Sequence, residues 1–153
     1  NHKVLTKMFH EYNLEFHPLL ECGIYVYMWK GHPLAGRKEI ALEELDEYPC
    51  LSFEQGTYNS FYFAEEVLST YDYKQLIKAD DRATLLNLMV GLNGYTMCSG
   101  IICEELNGDG YTAVPFAAEE TMTIGYLKRK GIPLSHLGSR YIEILKQYEK
   151  HCK

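Results

Sequence analysis

The stretch His32 to Phe53, HPLAGRKEIALEELDEYPCLSF, joins two structural regimes and constrains this chain more than any other segment. It reads as strand exit, linker, short helix and buried strand. His-Pro-Leu-Ala-Gly follows the apolar run Ile24 to Trp29, and Pro33 biases its predecessor away from helix. Leu42 and Leu45 lie three apart among Glu43, Glu44, Asp46 and Glu47, so one small apolar face docks while the rest stays in water. Pro49 stops that helix. Cys50 to Phe53 is short, apolar and followed by Gly56, the pattern of a strand with a loop at its carboxyl end.

On either side the periodicity alternates. Val4 to Tyr12 reads as a helix, and Leu14–Leu20 and Gly23–Trp29 as strands. A helix is expected over Ser60–Ser69, capped by Thr57 or Asn59, then a strand over Tyr73–Ala79. Asp80 or Asp81 caps the next helix, in which Leu85, Leu88, Met89 and Leu92 recur at helical spacing until Asn93-Gly94 breaks it. Strands follow over Tyr95–Cys98, Tyr111–Phe116 and Met122–Lys130. Ser135 opens a last helix with the apolar stripe Leu137, Tyr141, Ile144, Leu145, Tyr148. Strand and helix alternate from Cys50 to Tyr95, which implies a parallel sheet with helical crossovers, the α/β class.

With 153 residues the chain can bury one core or two small lobes. Its 46% hydrophobic and 24% charged residues are ordinary globular composition, and no apolar run is long enough to span a bilayer. With no signal-peptide layout either, a cytoplasmic address is the default expectation. Five scattered cysteines, mostly in apolar settings, point to core thiols rather than a disulfide framework. Charge is uneven: residues 31–120 hold 16 Asp/Glu against 5 Lys/Arg, the flanks 5 against 10. An acidic middle is repelled by phosphate backbones, which argues against its touching DNA, although solvated helix faces account for the same charge.

In open α/β sheets ligands bind where strands end and helices begin. Two such junctions are legible: Glu54-Gln55-Gly56-Thr57-Tyr58-Asn59-Ser60 and Ala79-Asp80-Asp81-Arg82-Ala83-Thr84. The candidate ligand-binding residues are Gln55, Gly56, Thr57, Asn59, Ser60, Asp80, Asp81 and Cys98; capping alone also accounts for Thr57, Asn59, Ser60 and the two aspartates. Helix N-termini favour a carboxylate, while Glu54, Asp80 and Asp81 suit an amino group, so an amino-acid-like or carboxylate ligand is expected. Catalytic patterns are missing. Gly91-Leu92-Asn93-Gly94 lacks the Lys-Ser/Thr of a phosphate loop, no G-x-S-x-G elbow or C-x-x-C occurs, and the six histidines follow no metal-ligand spacing. No enzyme activity, cofactor or metal is expected.

The His32–Phe53 segment, with its HPLA motif and Leu-rich helix before Tyr48-Pro49, resembles the hinge of the effector-binding part of LysR-type transcriptional regulators. Leu88-Met89-Val90-Gly91-Leu92-Asn93-Gly94-Tyr95-Thr96-Met97-Cys98-Ser99-Gly100-Ile101 is similar to that family's helix-end and strand pattern, departing from it at Asn93, inserted in the glycine pair, and at Ser99-Gly100, where the family often has Leu-Pro. The resemblance implies a bilobal, periplasmic-binding-protein-like (type 2) α/β fold with Rossmann-like lobes. In that reading residues 1–30 and 121–153 belong to effector lobe I, completed by upstream chain, and 31–120 form lobe II, with a hinge at Lys30, Gly31 and His32. It further implies a small-molecule effector, a homodimer or homotetramer, promoter DNA contacted only through a winged helix-turn-helix outside this sequence, and no membrane. The rivals are a solute-binding module of a transport system and a small α/β enzyme.

Overall fold

The run Tyr25-Val26-Tyr27-Met28-Trp29 is apolar without alternation because it is covered on both faces. In the computed structural model, which describes residues 2–54, 71–102, 104–119 and 121–147, it forms β2 (Tyr25–Trp29). Val26 and Met28 are 0% exposed. The strand is also flanked on both edges, antiparallel to β5 (Thr96–Cys98) and to β6 (Tyr111–Pro115). This corrects the sequence-based boundary: residues 23–30, expected with the flanks, lie in the same unit as the middle of the chain. The two compact units are 1–22 with 121–153, and 23–120. A strand buried on every side needs two partner strands and two covering layers, and the middle segment supplies them.

In the second unit β3 (Cys50–Phe53) runs parallel to β4 (Leu76–Ala79), from Cys50 opposite Leu76 to Phe53 opposite Ala79. A parallel bridge between Cys50 and Tyr95 ties this pair to β5, with Leu51 N–H donating to Tyr95 O at 2.7 Å. The strands from Cys50 to Tyr95 are thus parallel, as their alternation with helices implies, and the antiparallel neighbours β2 and β6 make the whole sheet mixed. One face carries Val26, Met28, Cys50, Met97, Val114 and Phe116, packed with Leu34, Ile40 and Leu45 from the 32–45 segment. The other carries Tyr27 and Leu51 under Leu85 and Met89 of α2 (Arg82–Gly91). Leu88 is half-buried and Leu92 exposed, so the apolar stripe of α2 is narrower than its sequence spacing suggests.

The Leu42–Leu45 turn is 3-10 rather than α. Apolar residues three apart eclipse on a 3-10 turn, and one docked turn needs no more. Glu44 carboxylate accepts from Ala41 N–H at 3.1 Å and closes its start. A short helix that the sequence did not suggest, α3 (Glu104–Asn107), precedes the Gly108 turn. The helix expected over 60–69 lies outside the described residues.

The first unit consists of α1 (His2–Glu11), β1 (Leu14–Cys22), β7 (Met122–Arg129) and α4 (His136–Gln147). β1 and β7 form an antiparallel ribbon whose register shifts between Pro18 and Leu20, where proline offers no N–H to the ladder. Gly125 is required there: a Cβ would stand 2.4 Å from His17 O. Lys128 pairs with Glu15, whose carboxyl it holds below the usual range with help from His17. The predicted stripe of α4 stays largely uncovered, with Leu137 79% and Tyr141 62% exposed. Tyr148 lies outside the described residues.

Candidate functional site

Three parallel strand ends and the start of α2 meet at one rim of the second unit. β3 ends beside β4, and Glu54 N–H donates to Ala79 O at 2.9 Å, so Glu54 adjoins the start of the 79–83 segment. On the other side of β3, β5 ends at Cys98. Of the predicted binding residues, Gln55, Gly56, Thr57, Asn59 and Ser60 lie outside the described residues. Asp80, Asp81 and Cys98 are all brought to this rim.

Asp81 takes the cap. Its backbone is extended, and its carboxylate accepts from Thr84 N–H at 2.8 Å. Hydrogen bonds from Thr84, with a smaller contribution from Ala83 N–H, hold its carboxyl below the usual range. The positive pole of α2 is thereby largely answered from within. Asp80 is exposed. Cys98 is half-buried, and its Sγ accepts from Gly100 N–H at 3.3 Å. Gly100 sits at φ +75°, and a side chain there would strike the Tyr25 ring at 2.6 Å.

Sequence reasoning missed a buried hydroxyl behind this rim. Tyr27 is 9% exposed and stacks on Tyr111 with ring centroids 5.6 Å apart, yet its hydroxyl oxygen is shut from solvent without a hydrogen-bond partner. An unsatisfied buried hydroxyl costs about 1–3 kcal/mol. Burial pushes the phenol up. The Arg82 guanidinium pulls it part of the way back, and Tyr111 and Cys98 add to the rise. Arg82, the first residue of α2, also reaches α3 through a hydrogen bond to Asn107 Oδ1. In the sequence Tyr27 was one aromatic among several in an apolar run, with no signal to distinguish it.

The residues expected as a hinge are part of the second unit. Lys30 N–H donates to Gly110 O at 2.8 Å, which holds the end of β2 to the turn before β6, and Lys30, Gly31 and His32 all lie within the second unit. The chain passes between units at 22/23 and 120/121. His32 is instead a structural node, 3% exposed. Its Nδ1 accepts from Leu34 N–H at 3.0 Å, so Nε2 carries the proton and donates to Asn93 O at 2.9 Å. Burial lowers its pKa. Asn93 takes φ 51° just past α2, and its Oδ1 accepts from Trp29 Nε1 at 2.9 Å. Thus Asn93 takes the left-handed backbone and adds a side-chain tie.

Among the described residues no cluster of His, Cys, Asp and Glu is placed to hold a metal, and no helix is long and apolar enough to cross a membrane. Among solved structures, the reduced form of OxyR is 19% identical with a TM-score of 0.61, the match covering 99% of this chain and 79% of that one. The effector binding domain of QuiR in complex with shikimate is 16% identical, TM-score 0.59, covering 91% and 66%. HinK, a LysR family transcriptional regulator from Pseudomonas aeruginosa, is 14% identical, TM-score 0.64, covering 90% and 49%. This chain thus spans under two thirds of QuiR's domain and about half of HinK, and at these identities the likeness concerns fold. No curated protein matches. The family model described as LysR substrate binding domain matches residues 4–150, nearly the whole sequence, and the chain belongs to that family.

Proposed function

We propose that this chain is the effector-sensing part of a LysR-type transcriptional regulator. The units formed by 1–22 with 121–153 and by 23–120 serve as its two effector lobes. The observation that carries the reading is the rim where β3, β4 and β5 end against the start of α2, the place at which open α/β sheets take ligands. A small metabolite bound by Asp80, Cys98 and the 55–60 loop biases attached winged helix-turn-helix domains by differential affinity for two arrangements, which requires no bond-making step. In this reading the regulator acts on promoter DNA in the cytoplasm, as a homodimer or homotetramer. The acidic 31–120 segment leaves DNA contact to the attached domains.

A thermal-shift screen of this chain against a broad metabolite panel tests the reading, followed by promoter footprinting of the whole regulator with and without each hit. A hit that raises the melting temperature and alters the footprint supports it. A hit converted to product by the chain alone would favour the enzyme rival, and a hit without any effect of the regulator on DNA would favour the solute-binding rival. Sequence-selective DNA binding by residues 1–153 alone would contradict the assignment of DNA contact.

A further inference from the structure

We infer that Asn107 is a site of spontaneous deamidation, its side-chain amide turning into a carboxylate at the step Asn107-Gly108, while the step Asn93-Gly94 stays intact in the folded chain. Residue chemistry nominates both. Of the six asparagines in the sequence these two are followed by glycine, which has no side chain to keep its backbone nitrogen away from the preceding amide carbon. That nitrogen attacks Asn Cγ, a new N–C bond closes a cyclic imide, and the side-chain nitrogen leaves as ammonia with the proton that the glycine nitrogen gives up. Water then opens the imide at either carbonyl, giving aspartate or its backbone-shifted isomer. The balance is water taken up and ammonia released.

The fold separates the two steps. At Asn93 the side-chain Oδ1 accepts from Trp29 Nε1 at 2.9 Å, the carbonyl oxygen accepts from His32 Nε2 at 2.9 Å, and Gly94 N–H donates to Met89 O at 3.1 Å. Gly94 is buried so closely against Leu51 that a Cβ would stand 2.8 Å from its Cδ1. Swinging the Asn93 amide onto the Gly94 nitrogen therefore means undoing ties that hold the end of α2 to Trp29 and His32.

Asn107 has a slighter frame. α3 is a single turn of four residues with none buried, and Gly108 after it is exposed, at φ +74° with open space where a Cβ would be. Gly108 N–H donates to Glu104 O at 2.7 Å, but this is the closing bond of one exposed turn, and helices under about 12 residues are marginal in water without packing. Local opening frees the nitrogen without disturbing the core. Asn107 Oδ1 accepts from the Arg82 guanidinium, which draws electron density from the amide carbon and steadies the oxyanion that forms as the nitrogen adds. The carboxylate produced gives Arg82, the first residue of α2, a charge-assisted partner in place of a neutral one.

The test incubates the folded chain at physiological temperature and mildly alkaline pH and follows it by mass spectrometry after digestion on the carboxyl side of glutamate, which separates the two steps at Glu105. Asn107→Asp supplies the standard for one product. The fragment holding Asn107 is expected to gain the mass of an amide-to-acid exchange about tenfold or more faster than the fragment holding Asn93. Isomerisation at the neighbouring Asp109-Gly110 step leaves the mass unchanged, so the gain reports on Asn107. In denaturant the two rates should converge, because the ties of Asn93 are gone. Asn107→Gln should abolish the gain in its fragment, and Arg82→Gln should slow it in the folded chain while leaving the denatured rate as it was. Equal rates at the two steps in the folded chain overturn the inference, as does an Asn107 that reacts in denaturant but not when folded. A folded rate unchanged or raised by Arg82→Gln overturns the part given to the guanidinium.

Discussion

Replacing His32 by Asn isolates one buried node. The Asn Oδ1 can still accept from Leu34 N–H as Nδ1 does at 3.0 Å, but the shorter side chain gives up the bond to Asn93 O and the packing on Tyr48, whose ring centroid lies 4.4 Å away. Leaving the Asn93 carbonyl short of its donor costs about 1–3 kcal/mol, and the lost ring volume adds about 1 kcal/mol, so a loss of about 2–4 kcal/mol is expected. The pH dependence is the sharper readout. With Nδ1 accepting from a backbone N–H, a second ring proton would set donor against donor, and burial depresses the folded-state pKa below 6.5. Above pH 6.5 both states are neutral and this contribution is flat. Below it the unfolded chain takes a proton that the folded chain refuses, so stability falls as pH falls, by at most about 1.4 kcal/mol per pH unit, until the folded-state pKa is reached. Urea denaturation at several pH values from neutral to mildly acid measures this directly. The parent-minus-variant difference should shrink on acidification. A difference that is constant or grows would refute the neutral, Nε2-protonated assignment.

Three further outcomes follow from other contacts. Asp81→Ala should lower the thermal midpoint by removing the Thr84 cap, Asp81→Ser should restore most of it, and the parent's advantage over Asp81→Ala should fade as acid protonates the carboxylate through its lowered pKa; equal midpoints for all three at neutral pH would deny the cap. Gly31→Ala places a Cβ 1.9 Å from the Trp29 ring, which the bond to Asn93 holds in place, and should cost about 1–3 kcal/mol in chemical denaturation with altered tryptophan fluorescence, against no change if the ring simply swings away. The uncovered stripe of α4 should drive self-association, so light scattering should show mass rising with concentration, and Tyr141→Glu with Leu137→Glu should abolish the rise; a parent chain that stays monomeric would contradict this.

Local patterns carried far in this protein. The extended strands at 14–22, 50–53 and 111–115, the Asp81 cap with Leu85 and Met89 beneath it, and the left-handed turn at Asn93 all depend on residues within a few positions of one another. The junction at 79–83 was visible for the same reason: strand end, cap and first turn are contiguous in sequence. What sequence could not decide was pairing. Tyr25–Trp29 has the same residues whether it belongs to the flanks or to the middle, and its membership was settled by Thr96–Cys98 and Tyr111–Pro115, about seventy to ninety residues away, because a strand buried on both faces takes whichever edges are on offer. That placement put the chain crossings at 22/23 and 120/121, made His32 a bonded core residue, and turned Tyr27 from one aromatic in an apolar run into a buried hydroxyl without a hydrogen-bond partner. Residue chemistry and spacing determine local conformation; which buried polar atom lacks a partner is set only once distant segments close around it.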